Sequence, residues 1–407
     1  MLGDVVSDPH DLDDLQRLCD GDTRRLADVA IRRAHRLLRL GDYAGASVAT
    51  VVAEDHAMAV DDARLRGEAL RVRGEVLERL GRFDEALVIV DDARELFSRE
   101  GAVADEMAAM VGAGRIHLMR AHYEAARAAY KPVIQRIEKT GDPWLERIVQ
   151  NHVAIIEMCL GNYEAAMASA QRSLELCRRY GDRSREGDAL SVAGIILLEV
   201  GLYDQAAARF AEAIELLSRT SSRWSRADCL IYAGVCDVRR GRDSGIAMLD
   251  EALDEARRLG ARYLEANALI SRAGAHLRRG NIAAAMQDAA EGTAVASAAT
   301  LVGYEIQGLA RHAVALIRHP SGPYLVEAVG LVQRALALIE QQRYLEGSEE
   351  EVYANCVEVL RAARAEDRAA AVKAQGRAEV ERKLAGLADP EWRSSYAAIP
   401  EAKVLLV

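Results

Sequence analysis

An all-α array of helical hairpins is predicted by three observations. First, the 407-residue chain is 50% apolar with only seven prolines; straight-chain apolar and charged residues lose little freedom in a helix, while proline breaks its interior. Second, one short turn recurs about every forty residues, as LGDYAGA from Leu40, LGRFDEA from Leu80, MRAHYEAA from Met119, LGNYEAA from Leu160, VGLYDQA from Val200, RGRDSGIA from Arg240 and RGNIAAA from Arg279. Third, small residues keep the same beat upstream of those turns, at Ala34, Gly74, Gly114, Ala154, Gly194, Gly234 and Gly274. A fixed period of this length is the signature of stacked supersecondary units.

The elements follow in chain order. Residues 1–22 read as an N-terminal capping segment, whose acidic run Asp11 to Asp14 complements a helix start and lacks the glycine and closing glutamate of a calcium loop. Residues 23–342 form the array, about eight helix pairs. Gly101, Gly141 and Gly181 punctuate the chain between the recurring turns, so each unit is two helices of roughly eighteen residues, each stopped by a glycine-containing turn. A small residue in mid helix lets the partner helix come close, as Gly74 and Ala86 would across one hairpin. The aromatic after the turn, at Tyr43, Phe83, Tyr123, Tyr163 and Tyr203, wedges between successive hairpins. Tyr324 is the equivalent residue of a degenerate eighth unit. Residues 343–407 are terminal helices and a tail; Ala362 to Leu387 is helix-prone but poor in large apolar side chains, which predicts a solvated helix that caps or leaves the array.

The pattern of small residue, then G-x-[YF]-x-x-A, then a helix such as AIELL, resembles the tetratricopeptide repeat family in a long, forty-residue form. The resemblance covers about residues 23 to 342, and it implies a right-handed αα-hairpin solenoid with a concave groove. The closing stretch DPEWRSSYAAIPEAKVLLV is similar to tails of bacterial signalling proteins in which a serine/threonine kinase or a STAND-type ATPase precedes such an array. What this implies is a protein or peptide partner, with a kinase, ATPase or other effector among the candidates.

Catalytic chemistry finds no footing in the sequence. There is no GxxxxGK[ST], no HRD and no DFG, so nucleotide and kinase chemistry are not expected and the chain is not expected to be an enzyme. His117 and His122 flank a turn without a third ligand; no metal and no cofactor are expected. The run GDRSREGD at Gly181 reads as a charged turn and not a phosphate cradle. The six cysteines form no CxxC pair, which favours buried thiols in a reducing cytoplasm. A net charge of -10 disfavours nucleic acid and anionic lipid as partners, and no apolar run is long enough to span a membrane. The acidic start does not resemble a secretory signal.

By the same resemblance, residues three before and one after the mid-helix small residue point into the groove, one helical turn apart. Those pairs are Ile31 with His35, Arg71 with Glu75, Val111 with Arg115, Asn151 with Ile155, Ser191 with Ile195, Ile231 with Val235, and Ser271 with Ala275. The candidate groove is thus charged at Arg71, Glu75 and Arg115, offers one amide at Asn151, and turns apolar at Ile155, Ile195, Ile231 and Val235 around Ser191. It predicts a bound segment with an acidic end followed by an apolar one. Two readings remain: a scaffold or sensor in bacterial signalling or defence that holds a partner segment, and a regulator whose shape responds to a short peptide.

Overall fold

In the computed structural model, which describes residues 19, 21–321, 324–341 and 348–407, every regular element is helical. Most of the N-terminal segment, including Asp11 to Asp14, and the boundary at residue 342 lie outside the described residues. The helices are α1 (Thr23–Leu40), α2 (Tyr43–Ala59), α3 (Ala63–Arg79), α4 (Phe83–Arg99), α5 (Val103–Met119), α6 (Tyr123–Thr140), α7 (Pro143–Cys159), α8 (Tyr163–Tyr180), α9 (Arg183–Glu199) and α10 (Tyr203–Ser218). They continue as α11 (Arg223–Arg239), α12 (Ser244–Leu259), α13 (Arg262–Arg279), α14 (Ile282–Ala298), α15 (Val302–Arg318), α16 (Leu325–Gln341), α17 (Glu349–Ala362), α18 (Glu366–Gly386), α19 (Pro390–Ala398) and α20 (Pro400–Leu406). This is the αα-hairpin solenoid that the repeat predicts. The chain divides into two compact units, Met1–His117 with Glu124–Arg136, and Leu118–Tyr123 with Ile137–Val407.

Local chemistry sets each hairpin. Asp22, Asp42, Asp62, Asp142 and Asp182 stand at helix starts, and their carboxylates accept hydrogen bonds from backbone N–H groups of the first turn. At the other end Gly181 (φ +71°) closes α8 in the left-handed region that only glycine enters without strain.

The close approaches are where the sequence places them. A Cβ on Gly194 would lie 2.7 Å from Cε1 of Phe210, and one on Gly114 would lie 2.5 Å from Cζ of Tyr130. A Cβ on Gly74 would run into Val90 and reach the Ala86 carbonyl oxygen at 3.5 Å. Tyr43, Phe83, Tyr123 and Tyr163 are buried as wedges, while Tyr203 is half-buried. One landmark shifts. The turns at Gly241 and Gly280 are 39 residues apart, so the seventh unit slips by one; Ala273 takes the fully buried position and Gly274 faces Arg311 of α15.

The larger correction concerns the C-terminal helices. α18 is not a solvated helix: Ala369, Val372, Gly376, Val380 and Lys383 are buried. Ala369, Val372 and Val380, together with Tyr353, Cys356, Leu360, Tyr396, Ala402 and Leu405, join one core with Ala154, Tyr163, Ala166 and Ile196 of the array. Tyr396 packs on Tyr163 with ring centroids 6.0 Å apart. The segment neither leaves the array nor merely ends it; α17–α20 fold back onto the ends of the first helices of the second unit.

Candidate binding face

In the first unit the charged candidates satisfy one another. Arg115 Nε donates to both carboxylate oxygens of buried Glu78 at 2.8 Å and lies 3.8 Å from Glu75. Arg71 Nη2 lies 3.3 Å from His35 Nε2. Burial works to raise the Glu75 pKa, but Arg115, Arg79 and Arg71 outweigh it and hold the carboxyl near 2. Burial, with Arg71 beside it, lowers His35 to about 4 and keeps the ring neutral. Ile31 and Val111, expected in the groove, are buried.

The second unit treats its candidates differently. The first helices α7, α9, α11, α13 and α15 lie side by side. Ser191 and Ile195 are buried, and Ile231 is 0% exposed, so the expected wet apolar stripe does not exist at those positions. The reason is packing: Ile195 joins the core of Leu190, Phe210 and Leu217, on which Val235 and Trp392 also rest. Ile155 is half-buried against the core shared with the C-terminal helices. Asn151 is half-buried, and its Oδ1 is shielded from solvent without a hydrogen-bond partner. One repeat on, Ser191 Oγ is likewise buried, with the Cys229 thiol as its polar neighbour. Buried polar atoms are nearly always paired, so the orphaned Asn151 Oδ1 is informative.

Sequence reasoning missed two further groups. An aromatic ladder runs across the starts of α11, α13 and α15: Trp224 stacks on Tyr263 at 6.1 Å, and Tyr263 meets Tyr304 edge-on at 5.3 Å. Tyr304 donates its hydroxyl to Tyr263 at 3.1 Å, and Ser271 donates to Asn267 Oδ1 at 3.1 Å. The signal was present as the spacing of Tyr263 and Tyr304, 41 residues apart.

The second group is a buried charge cluster. Arg239 donates to Glu401 at 2.8 and 3.0 Å and to Glu351 at 3.3 Å, Arg311 donates to Glu351 at 2.9 Å, and Arg278 pairs with Glu401. Lys383 reaches Glu350 at 2.8 Å and Glu349 at 3.2 Å, and Tyr396 donates to Glu350. No local pattern links Arg239 to Glu401.

Burial pushes the thiols of Cys229, Cys236 and Cys356 up to about 12, so they stay protonated. Among the described residues no group of three or more potential ligands could hold a metal ion, and no helix is long and apolar enough to cross a membrane.

Comparison with known proteins agrees with this architecture. Residues 145–219 match the family model of the tetratricopeptide repeat. The hairpins within residues 145–219 are thus similar in sequence to tetratricopeptide repeats, and the others share their fold. No curated protein matches the chain in sequence. Among solved structures, a Rap protein complexed with competence and sporulation factor has a TM-score of 0.64 at 13% identity, over 89% of this chain and 100% of that one. A STAND signal transduction ATPase with a tetratricopeptide repeat sensor, from Pyrococcus horikoshii, gives 0.52 at 15% identity over 82% of this chain and 49% of that one. Aspartyl phosphate phosphatase F from Bacillus subtilis gives 0.50 at 15% identity over 87% and 93%. At such identities the likeness is one of fold.

Proposed function

We propose that this chain is a non-catalytic scaffold or sensor that holds an extended protein or peptide segment along α7 and α9 of its second unit. The carrying observation is Asn151 Oδ1, buried without a hydrogen-bond partner, with Ser191 Oγ buried at the equivalent position one repeat on. A backbone N–H of a bound segment would satisfy the first, and the next polar group of an extended chain the second. Ile155, one turn from Asn151, supplies apolar contact, with Val235 beyond it. Ile195 and Ile231 act from beneath as packing. Arg71, Glu75 and Arg115 form a charged face of the first unit, where an acidic ligand would compete with Glu78 for Arg115. A bacterial signalling or defence role in the cytoplasm is supported by the likeness to a Rap protein complexed with competence and sporulation factor and to a STAND sensor. The second reading is a regulator that responds to a short peptide.

The test begins with an affinity pull-down from the source cell and proceeds to calorimetry with the partner recovered. Asn151→Ala should weaken binding by about 1–3 kcal/mol, roughly five-fold to more than a hundred-fold, with unchanged melting. Glu212→Ala, at a half-buried position of α10 on the second helix of its hairpin, where the carboxylate pairs with Arg178, should bind as wild type does. Wild-type affinity in Asn151→Ala together with loss in Glu212→Ala would move the site off this face.

A further inference from the structure

The third hairpin, α5 with α6, keeps the packing landmarks of the repeat: Tyr123 is a buried wedge and Gly114 lies against Tyr130. It departs from its neighbours at three positions that hold a hairpin closed. Ala102 precedes α5, where four other first helices begin after Asp22, Asp62, Asp142 or Asp182, whose carboxylates accept hydrogen bonds from the first turn. An alanine offers no such acceptor, so the start of α5 lacks a side-chain cap. In the turn between α5 and α6, Ala121 sits at φ +58°, whereas the other six turns inside the hairpins of α1 to α14 place glycine there, at Gly41, Gly81, Gly161, Gly201, Gly241 and Gly280. The left-handed region brings a Cβ too close to the following carbonyl oxygen, so of these seven turns this one is strained. Pro132 lies in the interior of α6, and among the described residues every other helical proline stands in a first turn. It has no N–H to give the Ala128 carbonyl, and its ring crowds that oxygen.

The division between the two compact units falls in this same hairpin, after His117 in α5 and after Arg136 in α6. In an array the stability of each hairpin adds to the terms from its nearest neighbours, so cooperativity passes along the chain only through hairpins that are themselves stable. A lost cap, a strained turn and a broken helix ladder in one hairpin concentrate the weakness at one place.

We propose that the third hairpin is a built-in breakpoint: it opens locally while the hairpins before and after it stay folded, and the two units unfold as separate cooperative blocks. A ligand-driven change in either unit then stays in that unit unless the ligand itself closes α5 and α6. The inference stands apart from the ligand reading, since it concerns how the chain holds itself together.

Hydrogen exchange of the full chain tests it. After correction for intrinsic rates, amides in the interiors of α5 and α6 should exchange at least about tenfold faster than those of α3 and α9. The fourth hairpin carries Asp142, Gly161 and Arg172 at the three positions. Copying them in together, as Ala102→Asp, Ala121→Gly and Pro132→Arg, should slow α5 and α6 by at least about tenfold and α9 by less. Equal protection of α3, α5, α6 and α9 in the wild type overturns the proposal, and so does an unchanged rate in the restored chain. A further measurement needs no variant. All three tryptophans, Trp144, Trp224 and Trp392, lie in the second unit, so their fluorescence follows that unit alone while circular dichroism follows both. Urea should give a two-step loss of helix with fluorescence tracking only one of the steps, and superimposable transitions overturn the breakpoint.

Discussion

The two units are written in the same repeat, yet they fill several lining positions of their first helices differently. In the first unit Arg71, Glu75, Glu78 and Arg115 pair across neighbouring hairpins, and on the second helices Val48, Val51, Val52 and Val88 remain exposed. In the second the corresponding apolar positions are core, and the chain's own C-terminal helices cover the turn end of that face. The difference teaches that a repeat specifies how a hairpin closes and stacks. What covers the remaining face is decided elsewhere in the chain.

The largest expected effect comes from treating a second-unit position as though it were groove. Ile231→Asp places a charge where exposure is 0%, and it should destabilise by about 4 kcal/mol in denaturant unfolding. A near-wild-type midpoint would mean that α11 presents this residue to solvent, and the contrast between units would collapse.

Glycine substitutions sharpen the comparison at the next level. Gly194→Leu drives a side chain into Phe210 and should cost about 2–3 kcal/mol. Gly112→Ala in the first unit meets only Val90 Cγ1 at 3.8 Å, an ordinary contact, and should stabilise by about 0.5 kcal/mol through helix propensity alone. Equal responses in thermal melts would show that the two units are packed alike.

The smallest effect is in pH dependence, where the units should move in opposite directions. His35 has a folded-state pKa near 4 against an ordinary 6.5, so the unfolded chain takes up its proton first and the first unit loses stability as pH falls from 6.5 towards 4. With solvent screening of a half-buried ring, the loss should be about 1 kcal/mol, and His35→Gln should abolish it. The second unit, through Glu199, should lose stability as pH rises from 4.5 towards about 7. Residue-resolved exchange across this range separates the two; a single monotonic response in both units would remove the distinction.

Much of the architecture was legible because its causes are local. Turn glycines, N-cap aspartates and mid-helix small residues act within one helix or one hairpin, and repetition made them visible. Asn151 was legible as a polar residue at a lining position. That its Oδ1 is buried and unpartnered could be known only once neighbouring helices enclosed it. Ile195 and Ile231 misled because the same i, i+4 spacing serves a groove and a core alike. α18 misled for a related reason: its buried residues are small, and its charge at Lys383 looks like solvent exposure until Glu349 and Glu350 meet it.

By itself, then, the sequence determined the helices, the hairpin, the forty-residue period and the positions of closest approach, since each depends on dihedral preference, capping and volume over a short span. The tertiary structure alone decided the fate of the lining side chains. Arg239 and Glu401 are separated by 162 residues, and Tyr396 and Tyr163 by more. Their pairing depends on how far the array turns before its own end returns to it, a sum of many small packing rotations that no local pattern records.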